Sequence, residues 1–210
     1  MLLNGNKAPV YVVDDDDAVR DSLEALLGHK GFDVTTFSSS KAFVEYAGKS
    51  QERACLLLDI RMPEMDGIEV LTHISEHKFP LAVIIITGHA DVSIAVRAMK
   101  TGAVDFIEKP FTQEIILAAL EKAADSLNDV KPTSGDVKSI ADKIENLSPR
   151  ERDVLERLID GLTNKEIARD LDISPRTVEV YRAGVMDKMG ARNLSALVKM
   201  GLAVGLGKEL

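Results

Sequence analysis

Between residues 10 and 127 the chain repeats one unit five times, a short apolar run followed by a helix-patterned segment. Residues 10–13, 32–37, 55–58, 81–86 and 104–107 read as strands, and the segments 18–29, 41–47, 68–77, 91–100 and 112–127 carry helical periodicity, with Asp91 and Thr112 placed to cap the last two. Consecutive parallel strands need a helical crossover, so this alternation restricts the fold to α/β, a doubly wound five-stranded parallel sheet. The run 55–58 is apolar on both faces and ends in Asp59, the pattern of a central strand delivering one carboxylate to the sheet edge. Ligands of open parallel sheets gather at that edge.

The pattern changes at residues 128–139, where Pro132, Ser134 and Gly135 interrupt it, and every periodic segment beyond is helical. Val137, Ile140 and Ile144 form a short stripe. Ser148-Pro149-Arg150-Glu151 is a capping box with proline at the first helical position. Gly161 closes that helix, Asn164 opens another through Leu171, Ser174-Pro175 opens a third to Gly190, and a fourth runs over 194–204. The expected organisation is a first domain over 1–127, a linker with a short helix over 128–146, and an all-α domain over 147–210.

The ends of the parallel strands carry chemistry. Asp14 and Asp15 follow the first, Asp59 the third, Thr87 the fourth and Lys109 the fifth. Carboxylates crowded at one edge cannot all stay ionised without a cation, and an all-oxygen donor set suits Mg²⁺. A cation, an amine and a hydroxyl around one carboxylate would stabilise phosphoryl oxygens during transfer. The first acidic run continues to Asp17, and spacing leaves open which two of the four face a metal; Asp16 or Asp17 reads as the cap of the next helix.

On these residues the segment 9–127 resembles the receiver domain of two-component response regulators, which implies a flavodoxin-like sheet. The resemblance implies that Asp59 accepts a phosphoryl group, that Asp15 binds Mg²⁺ directly and Asp14 mostly through water, and that the Arg61 backbone carbonyl completes the set. It implies further that Thr87 and Lys109 hold the phosphoryl oxygens, that the Lys109-Pro110 bond is cis, and that Phe106 is the aromatic switch residue, although Phe106 reads equally as core.

Asn164 to Met189 has the spacing of a helix-turn-helix. The segment from Leu147 to Val204 resembles the four-helix DNA-binding domain of the LuxR class, and the two parts together resemble FixJ-type regulators. The Ser174 helix is then the one that enters the major groove. Val178, Val185 and Met189, with Tyr181 in part, face the core, while Arg176, Thr177, Glu179, Val180, Arg182 and Ala183 face outward. Glu179 and Arg182 have the hydrogen-bonding groups to read bases; Lys165 and Lys188 suit phosphates. Glycine at 184 departs from the asparagine usual in FixJ-type sequences.

Net charge is −8, but its distribution decides what can meet a polyanion. Residues 1–130 hold 12 basic against 21 acidic side chains, and residues 131–210 hold 14 against 13. The tail can face phosphates and the front cannot. Cys55 is the sole cysteine, so an internal disulfide is impossible. No run is long and apolar enough for a membrane span, and a cytoplasmic location is expected.

The expected function is a phosphorylation-controlled regulator of transcription, an activator and not an enzyme. Its implied partners are a FixL-like histidine kinase, promoter DNA, RNA polymerase and a second copy of the chain. The expected dimer face carries Val92, Val96, Arg97, Asp105 and Glu108. Two other readings stay open, a receiver acting only through a protein partner and a metal-dependent phosphohydrolase. His73, Glu76 and His77 also spell an inverted zincin signature, on a helix whose Ile68, Val70, Leu71 and Ile74 are needed for the core.

Overall fold

A computed structural model describes residues 2–3, 6–50, 52–88, 92–128 and 134–207. The chain forms two compact units, Met1–His89 with Thr101–Val130, and Ala90–Lys100 with Lys131–Leu210.

The first unit contains five parallel strands, β3 (Val10–Val13), β4 (Val34–Phe37), β5 (Ala54–Asp59), β6 (Leu81–Thr87) and β7 (Asp105–Glu108), in the spatial order β4-β3-β5-β6-β7. Two short strands precede them, β1 (Leu2–Leu3) and β2 (Asn6–Lys7), an antiparallel pair that the alternation at 10–127 does not foreshadow. The helices of this unit are α1 (Asp17–His29), α2 (Ser40–Ala47), α3 (Gly67–Glu76) and α5 (Gln113–Leu127). Strand β5 is buried along its whole length, as its unbroken apolar run requires. Period-2 alternation sorts the strand residues by face. Val10, Val12, Leu57, Ile84 and Ile86 join Leu23 and Leu27 of α1 and Ile116, Leu120 and Ala123 of α5 in one core. Tyr11, on the other face, meets Phe37, Phe43 and Tyr46, four rings with centroids 5.2–6.2 Å apart.

Strand order reverses direction between β3 and β5, so the crevice at their carboxyl ends is the topological switch point. Val13 pairs with Leu58 and Asp59 with Ile86, which sets Asp14, Asp59 and Thr87 side by side at that edge.

The second unit holds α4 (Val92–Thr101), α6 (Ser134–Glu145), α7 (Pro149–Ile159), α8 (Asn164–Asp170), α9 (Pro175–Met189) and α10 (Leu194–Ala203). Asp91, expected to cap α4, lies outside the described residues. The Ser148–Glu151 capping box forms as expected, and an unforeseen second one joins Thr163 to Glu166 at the start of α8. Thr112 opens α5 at the N-cap as expected, without a side-chain capping bond: sequence supplies the residue type, but the rotamer decides whether the hydroxyl reaches an N–H. Gly190 ends α9 at φ 67°, a left-handed turn that glycine adopts without penalty. Val154, Leu155, Leu158, Ile159, Ile167, Val178, Val185, Met189 and Leu197 make the core of this unit, each fully buried.

Candidate functional site

The four consecutive aspartates after β3 divide their tasks. Asp14 turns inward, 3% exposed, and its Oδ1 accepts from the Asp16 N–H at 3.0 Å. Asp16 is the N-cap of α1, accepting from Ala18 N–H, and Asp17 pairs with Arg20. Asp15 is left facing solvent. Arg20 also donates Nη1 to the Asp14 carbonyl at 2.6 Å, clamping the turn from behind. Sequence reading missed Arg20, whose signal was its position three residues after Asp17.

Asp59 stands at the end of β5, 5% exposed. Lys109 extends its amine between two carboxylates, 2.8 Å from Asp59 Oδ1 and 2.6 Å from Asp14 Oδ2. The other Asp59 oxygen accepts from the Arg61 N–H at 2.6 Å. Burial pushes the Asp59 carboxyl above its ordinary range, with the Lys109 bond and the Arg61 N–H pulling the other way. For Lys109, burial opposes the charged amine, but the hydrogen bonds to Asp14 and Asp59 prevail and its pKa is raised. Thr87 ends β6, 1% exposed, and its carbonyl accepts from the Lys109 N–H at 2.8 Å. The Lys109-Pro110 bond is cis. Phe106 is half-buried on β7.

The loop after Asp59 is built tightly. Gly67 N–H donates to the Ile60 carbonyl at 2.9 Å, and Asp66 caps α3 in a reciprocal box with Glu69. A Cβ at Gly67 would stand 2.2 Å from the Asp59 carbonyl oxygen, so only glycine fits. Ser40 anchors the same loop by donating to the Met65 carbonyl at 2.8 Å.

Asp14, Asp59 and Lys109 are thus brought into direct contact. Two carboxylates on one ammonium leave excess negative charge, and with Asp15 and the Arg61 carbonyl the donors are all oxygen, a set that fits Mg²⁺ rather than a thiolate- or imidazole-seeking metal. Among the described residues no three His, Cys, Asp or Glu side chains converge as a ready-made metal cage. His73 and His77 stack at 3.9 Å between centroids, with His77 Nδ1 on the His73 carbonyl at 2.9 Å, so the zincin-like spelling is a ring stack on α3.

Two residues of the expected dimer face, Val96 and Asp105, are buried in this single chain. Val96 lies on the buried side of α4 with Ala95, Ala98 and Met99, because positions three and four apart share a helix face. Asp105 is 5% exposed, its carboxylate bound to Lys122 at 2.7 Å and to its neighbour Phe106 N–H at 3.0 Å. Val92 is half-buried, and Arg97 and Glu108 are exposed.

In the second unit α9 presents Arg176, Glu179, Val180 and Ala183 to solvent, with Thr177 and Arg182 half-buried and Lys165 exposed on α8. Val180 is 67% exposed, unusual for a valine. Thr177 helps cap the helix through Ser174, 2.8 Å between hydroxyls. Lys188, expected to meet phosphate, has its amine 2.6 Å from Glu151 Oε2. That carboxylate also accepts from the Ser148 N–H at 2.7 Å; the Lys188 bond, then the Ser148 N–H, hold the Glu151 pKa at about 2. Gly184 gives this carboxylate its room, for a Cβ there would lie 2.7 Å from Glu151 Oε1. Lys143 of α6 donates to the Met189 carbonyl at 3.0 Å, capping the C-terminal end of α9.

Comparison with known proteins places both halves. Residues 10–121 match the family described as response regulator receiver domain, and residues 145–201 match the bacterial regulatory proteins of the luxR family. The chain is 48% identical over 200 residues to the transcriptional regulatory protein FixJ of Bradyrhizobium diazoefficiens, covering 95% of this chain and 97% of that protein. It is 38% identical over 198 residues to the response regulator protein TmoT of Ectopseudomonas mendocina, covering 94% and 90%. The crystal structure of full-length FixJ from B. japonicum matches with a TM-score of 0.56 at 47% identity, over 95% of this chain and 98% of that one.

Proposed function

The chain belongs to the two-component response regulators that join a receiver to a LuxR-type DNA-binding domain, the FixJ-like transcription regulators, and from that premise we propose that Asp59 is its phosphoryl acceptor and α9 its DNA-reading helix. The observation that carries the first part is the Lys109 amine held jointly by Asp14 and Asp59 at the switch point of the sheet.

Asp59 attacks the phosphorus of a phosphohistidine on a sensor kinase. A P–O bond forms on the carboxylate as the P–N bond breaks, and the departing imidazole keeps the electron pair and is protonated. Arg61 N–H and Lys109 orient the carboxylate before attack; afterwards the Lys109 amine moves to the incoming phosphoryl oxygens and the Thr87 hydroxyl donates to another. Asp14, Asp15, Asp59 and the Arg61 carbonyl would hold Mg²⁺, which would supply positive charge to the phosphoryl oxygens. Phe106, half-buried, then repacks as Thr87 moves.

Phosphorylation drives dimerisation over a surface that includes Val92, Arg97 and Glu108, and the dimer sets two α9 helices on adjacent major grooves. Glu179 and Arg182 read base edges, Val180 meets thymine methyl groups, and Arg176, Thr177, Ala183 and Lys165 line the backbone approach. Lys188 reaches phosphate only by leaving Glu151. The regulator acts in the cytoplasm and activates transcription with RNA polymerase. The test is incubation with acetyl phosphate and Mg²⁺. One phosphoryl group per chain, absent in Asp59→Asn, and tighter retention of promoter duplexes are the expected results. Steady release of phosphate without retention of duplex DNA would defeat the proposal.

A further inference from the structure

Asn164 is the first residue of α8, yet it has no part in starting that helix. Thr163 is the N-cap: its hydroxyl accepts from the Glu166 N–H, and Glu166 returns a carboxylate oxygen to the Thr163 N–H at 2.7 Å. The Asn164 side chain is spent elsewhere. Its Oδ1 accepts from Arg182 Nη1 at 3.3 Å, across eighteen residues, from the first helix of the helix-turn-helix to the second. Both residues are half-buried, so the contact lies where α8 and α9 meet rather than on the free surface.

An unrestrained arginine gives up considerable rotamer freedom when it settles on a ligand. The contact with Asn164 removes part of that freedom in advance. Only Nη1 is engaged by the bond, and the guanidinium keeps further N–H groups for an acceptor outside the protein.

We propose that Asn164 is a positioning residue for sequence selection, fixing the Arg182 guanidinium toward the base edge. This rests on the reading of Arg182 as a base contact, and the experiment separates the two. Full-length protein treated with acetyl phosphate selects from a library of duplexes with a random 24-base-pair centre (a length of about two helical turns). The wild type, Arg182→Ala, Asn164→Ala and Asn164→Asp are compared. Arg182→Ala is expected to erase the guanine preference at one position of each half-site. Asn164→Ala weakens preference at that same position and lowers affinity for the wild-type consensus by about threefold to tenfold, with affinity for random duplex and the salt slope unchanged. Asn164→Asp, which keeps the acceptor, retains the guanine preference.

If Arg182→Ala erases that preference and Asn164→Ala leaves it intact, the positioning role is wrong. A salt slope reduced by about one in Asn164→Ala would make the amide a phosphate contact and overturn it equally. If Arg182→Ala leaves the selected motif unaltered, or the wild type selects none, the base-reading premise fails instead. Loss of folding in Asn164→Ala, seen by thermal melting, leaves Asn164→Asp to decide: loss of the preference despite a retained acceptor refutes the proposal.

Discussion

Gly67→Ala should force apart the tight junction between β5 and α3. The new Cβ would lie 2.2 Å from the Asp59 carbonyl oxygen, 2.9 Å from Ile60 Cα and 3.0 Å from the Asp59 carbonyl carbon, all of them backbone atoms that cannot rotate aside. Ordinary contact begins near 3.4 Å, so the end of β5 and the start of α3 must separate by about 1 Å. Alanine gains at most about 1 kcal/mol over glycine in a helix, and the overpacking costs about 1–3 kcal/mol; the clash wins. The receiver unit should melt about 3–8 °C lower. The larger effect is chemical, because the atom displaced belongs to Asp59, the proposed phosphoryl acceptor, and its carboxylate leaves the 2.8 Å contact with Lys109. A displacement of about 1 Å at a reacting group costs on the order of a hundredfold in rate. The assay is the rate of phosphoryl uptake from acetyl phosphate with Mg²⁺, followed by intact mass. Gly28→Ala is the control, since nothing lies within 4 Å of its Cβ, and it should be neutral or stabilising. A Gly67→Ala protein that takes up phosphate at the wild-type rate and melts no lower than wild type would refute the reasoning.

The remaining predictions concern charge and packing. Asp59→Asn should accept no phosphoryl group and should melt higher than wild type at neutral pH: burial raises the folded-state pKa of Asp59, so the native state disfavours its charge above the unfolded value of 3.8, and asparagine removes that penalty. Glu151 works in the opposite sense. Its carboxyl sits at about 2 against an ordinary 4.5, so its stabilisation of the helical unit is complete above 4.5 and is lost as pH falls toward 2; Glu151→Gln should flatten that acid limb in urea titrations. Gly184→Ala should gain up to about 1 kcal/mol from helix propensity only in a Glu151→Ala background, where the carboxylate no longer occupies the space, and a double-mutant cycle showing plain additivity would remove our account of that glycine. Burial pushes the Cys55 thiol up to about 12, so native protein should resist iodoacetamide at pH 8 and react fully in denaturant.

The periodicities alone determined the architecture. Strands with no polar face must be covered on both sides, and crossovers must be helical, so the five-fold alternation admits one class of sheet, and the apolar run into Asp59 marks its centre. The positions of Asp14, Asp59, Thr87 and Lys109 at strand ends were legible for the same reason, since in a parallel sheet all carboxyl ends share one edge. Tertiary structure alone decided which of four consecutive aspartates turns inward, because that depends on where Lys109 and Arg20, distant in sequence or on the following helix, place their charges. It likewise decided that Val96 and Asp105 are buried and that Lys188 meets Glu151. The link from Asn164 to Arg182 has no sequence signature at all. Local patterns encode which face of an element is apolar; they carry no record of which polar groups from separate elements will meet, and in this protein those meetings set the chemistry.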